Sequence, residues 1–289
     1  MKRIVLFVLT NFAVMIMLAI VVNVFGFDRY LTRRGIDYPM LMMFSLVWGF
    51  GGAIISLLMS RAMAKSAMGL QMIDGKTGHA ELDWLYQTIE QLTRKAGLPM
   101  PEVGVWESAD VNAFATGPSK RSSLVAVSTG LLRSMRHEEV EAVLAHEVSH
   151  IANGDMVTMT LIQGVVNAFS IFLSRVVAGL MRSRDDRGGN NYMLTMLLQI
   201  AFSFLGMFIV RWFSRTREFR ADAGAATLSS RGNMIAALQR LQINQGLVDN
   251  SQPQLATMKI NGPKGGGFAA LMATHPPLEA RIAALQQGR

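Results

Sequence analysis

A histidine-glutamate-x-x-histidine pattern is the part of this sequence best suited to chemistry. His146 and His150 are four residues apart, and Glu147 follows the first of them. On a helix this spacing places both imidazoles on one face, one turn apart, where a single zinc ion can bind both. The carboxylate of Glu147 would then lie beside the metal, where it could take a proton from the attacking water. The pattern also arises by chance, and paired helical histidines are often structural, so the motif alone leaves both interpretations open.

A catalytic zinc site needs a third protein ligand and one open coordination position. The chain holds five histidines and no cysteine, so an acidic ligand has to be considered. Glu218 could bind the metal, and Asp222, four residues later, could orient an imidazole that binds it. The alternative is a solvated acidic pair that makes helical ion pairs with neighbouring arginines. His275, which precedes two prolines, could simply cap the start of a helix.

The elements around the motif are predicted from the spacing of apolar residues. A helix is expected from about His137 to Ala152, with an apolar stripe against the domain and an end at Asn153-Gly154-Asp155. A second amphipathic helix is expected before Gly97. Short alternating segments predict strands at 103–105, 113–115 and 124–127.

Four apolar runs interrupt the polar parts of the chain, at residues 4–27, 39–60, 157–174 and 192–210. Because about 20 residues cross a bilayer, the first two runs predict a hairpin of membrane anchors, and the first is too long for a signal peptide. The other two could span the membrane or be long helices buried in protein, since Arg175 directly follows the third run. The polar domain is therefore expected to be split, with two apolar runs inserted in its middle.

Composition supports membrane spans combined with a globular domain, since 51% of the residues are hydrophobic. The lack of cysteine excludes disulfides, a cysteine nucleophile and thiolate metal ligands. A net charge of +8 could suit a nucleic-acid binder. Arginines at the ends of apolar runs, and the lack of a basic and aromatic stretch, instead favour contact with lipid headgroups.

Taken together and in order, these motifs resemble those of the integral-membrane zinc proteases that include the CAAX prenyl protease. The resemblance extends from the first anchor to about Leu285 and rests on His146–His150, Glu218 with Asp222, Thr274–Pro277, Asn112–Gly117, residues 145–160 and Ile235–Leu241. It implies that one Zn²⁺ per chain is bound by His146, His150 and Glu218, and that Asp222 orients the site. It also implies that Glu147 is the general base and that His275 stabilises the oxyanion.

The resemblance further implies a substrate-binding strand formed by Asn112, Ala113, Phe114 and Ala115. At an exposed sheet edge, a substrate peptide can add as an extra strand held by main-chain hydrogen bonds. The alternative for these residues is ordinary core structure, and Phe114 could serve in both ways.

We therefore expect an α+β, mainly α-helical fold: an integral-membrane zincin with a small edge-exposed β-sheet, the HExxH helix and about four transmembrane or hydrophobic helices. Its expected parts are an N-terminal transmembrane hairpin, the first half of the protease domain, an inserted hydrophobic hairpin and the second half of the domain. These correspond to residues 1–60, 61–156, 157–213 and 214–289.

The expected activity is that of a zinc metalloendopeptidase that cleaves membrane or misfolded proteins, in membrane protein quality control under stress. The expected partners are protein or peptide substrates and the lipid bilayer, with no nucleic acid. The resemblance implies a multi-pass protein of the bacterial inner (cytoplasmic) membrane whose active site faces the cytoplasm, although the positive charges flanking the spans are nearly balanced. The alternatives are a membrane scaffold or transport protein with a structural histidine helix, and a zinc hydrolase of a non-peptide bond.

Overall fold

The computed structural model describes residues 31–32, 35–181, 189–244 and 275–288. The described part is mainly helical and contains a small mixed sheet, which confirms the expected fold class. The first expected anchor, at residues 4–27, lies outside the described residues.

The described elements alternate between long apolar helices and a compact mixed region. The helices are α1 (Tyr38–Met68), α2 (Ala80–Lys95), α3 (Thr129–Ser134), α4 (His137–Asn153), α5 (Asp155–Leu180), α6 (Gly189–Leu228), α7 (Arg231–Asn244) and α8 (Leu278–Gln286). The strands are β1 (Leu31–Thr32), β2 (Gly35–Ile36), β3 (Gln71–Ile73), β4 (Glu102–Trp106), β5 (Ala113–Ser119) and β6 (Ser122–Ser128).

Three helices among the described residues, α1, α5 and α6, are long and apolar enough to cross a membrane. Each contains one of the apolar runs and extends beyond it. In the most apolar window of α6, 6% of the residues are buried, against 22% in α1 and 28% in α5. The same helix continues for 40 residues to Leu228, and therefore carries both the fourth apolar run and the acidic pair Glu218 and Asp222.

The described residues fall into two compact units. In the first unit, residues up to Leu57 associate with Thr158–Val210, and Gly49 allows close packing because a side chain there would meet the backbone of Ala168 at 2.4 Å. The second unit combines Leu58–Val157 with the residues from Arg211 onward and contains the sheet.

The sheet of the second unit has the strand order β3-β4-β6-β5. Strands β4 and β6 are parallel, whereas β3 and β5 pair antiparallel with their neighbours. Alternate residues of β6 enter two different apolar clusters: Val125 and Val127 face the main core, while Leu124 and Ala126 pack with Trp106 and other residues of a smaller cluster. Both faces of β6 are thus covered, which explains its continuous apolar run.

Helix α4 lies at the centre of the second unit, where it packs against β5, α2 and α7. Its stripe is almost fully buried, with Val140, Val143, Leu144, Val148 and Ile151 each at most 2% exposed. At its start, Arg136 donates its backbone N–H to the carboxylate of Glu139 at 2.9 Å. At its end, Gly154 adopts a left-handed conformation (φ 69°) that a residue with a side chain rarely takes. The chain therefore turns sharply, and α5 begins at the next residue.

Candidate metal centre

Three side chains from two helices meet in a buried group suited to a metal ion. His146 and His150 come from α4 and Glu218 from α6, and one ligand atom from each lies within 4.8 Å of the others. The two Nε2 atoms are 3.1 Å apart, Glu218 Oε1 is 3.4 Å from His150 Nε2, and Glu218 Oε2 is 3.5 Å from His146 Nε2. All three residues are at most 8% exposed. The one-turn spacing of the histidines thus brings their rings to one point, as the sequence predicts.

Carboxylates fix the tautomer of both histidines. His150 Nδ1 is 2.6 Å from Asp155 Oδ2, and His146 Nδ1 is 2.9 Å from Asp222 Oδ1. Since an ionised carboxylate only accepts hydrogen bonds, each Nδ1 carries a hydrogen, and Nε2 is the ring atom that can offer a lone pair to a metal. Two lone pairs 3.1 Å apart repel each other unless a proton or a metal ion lies between them.

The dimensions of the group fit zinc. Bonds from zinc to nitrogen or oxygen of about 2.0–2.2 Å place neighbouring ligand atoms about 3–4 Å apart. The measured separations of 3.1, 3.4 and 3.5 Å fall in this range. Glu218 Oε1 is moreover buried without a hydrogen-bond partner among the described residues. A buried anionic oxygen that accepts no hydrogen bond is costly, so this atom is suited to bind a metal.

Negative charge from the surrounding carboxylates dominates the site. Burial disfavours the charged form of His150, yet Asp155 and Glu218 outweigh it and raise the pKa of this histidine to about 9. Burial opposes the charged form of His146 as well, and Asp222 and Glu218 again raise its pKa. The site therefore attracts positive charge, whether a proton or a metal ion.

His275 contacts the metal-binding glutamate. Its Nδ1 lies 2.8 Å from Glu218 Oε2, and its Nε2 is buried without a hydrogen-bond partner among the described residues. The capping residue of α8 is Pro277, so the helix-capping alternative for His275 does not apply. The structure instead brings the ring to the same group as the HExxH histidines.

Glu147, next to the first histidine, is 5% exposed, and its charge also helps to raise the pKa of His150. The sequence-predicted residues His146, Glu147, His150, Glu218, Asp222 and His275 therefore all belong to one cluster. For Glu218 and Asp222, the alternative of a solvated acidic pair fails because both are at most 1% exposed.

Two residues of the cluster were not anticipated from the sequence. Asp155, the first residue of α5, binds His150 as described above. Arg281 of α8 is fully buried. It donates two hydrogen bonds to the carboxylate of Asp222, from Nη2 at 2.6 Å and from Nε at 2.8 Å. A signal for Arg281 was present, because it lies three residues after Leu278 and four before Leu285, on the apolar face of its helix. A charged residue at such a position needs a buried partner.

The predicted substrate strand is an edge strand. Strand β5 pairs with β6 on one side, and no strand of the described residues pairs with its other side. It packs beside α4, which carries the two histidines. The side chains of Asn112, Ala113 and Phe114 are at most 5% exposed, and Ala115 is half-buried. At Asn112–Phe114 the side chains are thus packed into the protein, which leaves the main chain of this segment as its means of pairing with a further strand.

Comparisons with known proteins agree on one family. Residues 79–289 match the family model for peptidase family M48. The chain is 52% identical to a protease HtpX homolog of Chlorobium phaeobacteroides over 100% of both chains, and 53% identical to one of Herminiimonas arsenicoxydans over 99% of both. A crystal structure of S. mikatae Ste24p is similar in fold, with a TM-score of 0.60 and 22% identity, covering 96% of this chain and 66% of that one.

Proposed function

This chain belongs to peptidase family M48 as a multi-pass membrane zinc metalloprotease related to HtpX, and we propose that it cleaves membrane or misfolded proteins in quality control under stress. The family membership decides against a scaffold or transporter with a structural histidine helix. The edge strand β5 supports the proposed substrates, because pairing through the main chain selects extended backbone rather than a particular sequence. Chains that have lost their native fold offer such backbone.

The observation that carries the function is the buried group formed by His146, His150 and Glu218. When bound there, zinc supplies Lewis-acid polarisation of the scissile carbonyl and activation of water. Asp155 and Asp222 hold the two imidazoles in the tautomer that leaves each Nε2 free to bind metal. Arg281 in turn fixes Asp222 and balances part of the negative charge of the site.

Glu147 is the general base in this proposal. It follows His146 on α4, so its carboxylate lies on the side of the helix next to the metal ligands, and its charge acts on His150. There it takes a proton from the attacking water and delivers it to the leaving amine.

His275 is proposed to stabilise the oxyanion that forms as the carbonyl is attacked. Its Nδ1 faces the carboxylate of Glu218, and its Nε2 has no hydrogen-bond partner among the described residues. Because Nδ1 donates to Glu218, Nε2 offers a hydrogen to the oxyanion when the ring is doubly protonated.

The substrate is proposed to bind in an extended form along the outer edge of Asn112–Ala115. The inner edge is already used, since Phe114 pairs with Ala126 and the Asn112 carbonyl accepts a hydrogen bond from Ser128 at 2.9 Å. Main-chain groups on the outer edge would position the scissile bond beside α4.

We also propose the domain organisation and orientation expected from the sequence. The protease domain comprises residues 61–156 and 214–289, and hydrophobic hairpins occupy 1–60 and 157–213. Support comes from the association of Leu58–Val157 with the residues from Arg211 onward in one compact unit. The active site is proposed to face the cytoplasm from the bacterial inner membrane, where unfolded cytoplasmic segments of membrane proteins are accessible.

Replacement of the proposed base tests the mechanism. Glu147→Gln is expected to retain one zinc per chain, while cleavage of an unfolded protein substrate such as casein falls by about 10²- to 10⁴-fold, the usual contribution of a general base. The matched control is Glu138→Gln, an exposed glutamate on the same helix, which should leave both zinc content and cleavage unchanged. Wild-type cleavage by Glu147→Gln would refute the proposed role.

A further inference from the structure

Two arginines of α6, directly after its apolar stretch, form no ion pair within the described part of the chain. Arg211 and Arg215 are half-buried, and neither pairs with a carboxylate of the described residues. The next two arginines differ, because Arg217 is 3.7 Å from Glu218 and Arg220 is 3.8 Å from Asp155. Within the described ranges, two positive charges without an acidic partner therefore lie where the apolar run ends.

The two arginines share one face of the helix. They are four residues apart, which places the guanidinium groups one turn from each other, and like charges at this spacing destabilise a helix. The Nε atom of Arg211 is buried and has no hydrogen-bond partner among the described residues. Both the repulsion and the unpaired donor are relieved if an anion binds between the two side chains.

Neighbouring residues indicate what kind of anion this is. Trp212 is 57% exposed and Phe213 is 38% exposed. Their rings are arranged edge to face, with ring centroids 4.9 Å apart. Exposed aromatic residues next to arginines at the end of an apolar helix are typical of the level of lipid headgroups. The apolar run before Arg211 is also the least buried of the three candidate spans. A phosphate at this level belongs to a phospholipid.

The site also lies close to the metal ligands along the helix. Arg215 is three residues before Glu218 and Arg211 is seven before it, so all three occupy the same face of α6. We propose that Arg211 and Arg215 bind the phosphate of an anionic phospholipid, and that this lipid neutralises the positive charge on the face of α6 that leads to Glu218. The site is distinct from the groups that bind zinc or substrate.

Lipid titration of the zinc-loaded full chain tests the proposal. Short-chain phosphatidylglycerol is added to the protein in detergent, and bound lipid is counted by native mass spectrometry, with phosphatidylcholine as the lipid of no net charge. Removing two arginine charges at an anionic lipid surface should weaken phosphatidylglycerol binding by about 30-fold. We therefore expect this loss in the double variant Arg211→Gln/Arg215→Gln, and little change in phosphatidylcholine binding.

Two further variants control for net charge and for folding. Arg94→Gln/Arg133→Gln removes the same charge from side chains that are 80% and 70% exposed, and should bind phosphatidylglycerol like wild type. Arg211→Lys/Arg215→Lys keeps the charge and should retain most of the binding. If the double glutamine variant does not fold, Arg215→Gln alone should show a loss of about fivefold.

Several results would overturn the proposal. Unchanged phosphatidylglycerol binding in the folded glutamine variants would exclude the site, and an equal loss in the Arg94/Arg133 control would assign the effect to general surface charge. Displacement of the lipid by an equal concentration of inorganic phosphate would indicate a site for soluble anions. Unchanged lipid binding with a raised KM for an acidic peptide would assign the arginines to substrate binding.

Discussion

At the scale of single residues, the histidines of the site are set by groups that do not themselves touch the metal. Asp155 holds Nδ1 of His150 at 2.6 Å, and the turn at Gly154 brings this carboxylate back to the ring. The imidazole is thereby fixed in orientation and tautomer before metal arrives. Such partners of metal ligands commonly influence affinity almost as strongly as the ligands do.

Asp155→Asn tests this positioning role. An amide can donate as well as accept, so the variant no longer requires the hydrogen to be on Nδ1 of His150. We expect the affinity for zinc, measured by competition with a chelator, to fall by roughly 10- to 100-fold. Asp74→Asn, at an exposed aspartate, is the matched control. Equal affinities in Asp155→Asn and wild type would show that the carboxylate is dispensable.

Residue types and spacing allowed prediction of the metal ligands, but not of all the residues that orient those ligands. The HExxH spacing predicts that His146 and His150 meet, since helix geometry alone decides it. The approach of Arg281 to Asp222 depends on the packing of α8 against the rest of the unit, which no local pattern encodes. His275 was placed at the site by resemblance, and its 2.8 Å contact with Glu218 spans 57 residues of sequence.

At the scale of elements, the site depends on the close approach of α4 and α6. Gly224 faces Ser149, and a Cβ on this glycine would lie 2.5 Å from Ser149 Oγ and 2.9 Å from its Cβ. Gly224 stands two residues after Asp222, and Ser149 precedes His150. The absence of a side chain at Gly224 thus allows the helix that bears Glu218 to lie close to the helix that bears the histidines.

Gly224→Ala is therefore expected to disturb the metal centre without touching it. The added methyl group must push the helices apart, at a cost of about 1–3 kcal/mol. We expect a lower melting temperature and weaker zinc binding. Gly232→Ala is the control, because a Cβ there has no atom within 4 Å, and alanine favours a helix. A variant Gly224→Ala as stable and as zinc-rich as Gly232→Ala would contradict this account of the packing.

The periodicity of apolar residues predicted several elements well. Helices α2 and α4 and the strands around 103–105, 113–115 and 124–127 lie where their patterns indicate. The order of the strands was beyond such patterns, because the parallel pairing of β4 with β6 places β5 at the edge through long-range contacts. The length of α6 was also missed, since Arg211 ends the apolar run but does not end the helix.

At the scale of the whole molecule, a chain without cysteine allows a direct test of membrane orientation. Lys120 is exposed in the turn between β5 and β6, within the unit that contains the metal centre. A single Lys120→Cys substitution should therefore report which side of the membrane this unit occupies. We expect a membrane-impermeant maleimide to label it only after the inner membrane is disrupted. Labelling in cells with an intact inner membrane would place the site on the opposite side.

The central claim is that His146, His150 and Glu218 together hold one zinc ion in the M48 protease unit. Anomalous diffraction at the zinc absorption edge, from crystals of the zinc-loaded full chain, tests it most directly. The account predicts a single anomalous peak per chain, about 2.0–2.2 Å from Nε2 of both histidines and from a carboxylate oxygen of Glu218. A peak bound by other residues, or no peak at this group in zinc-loaded crystals, would contradict it.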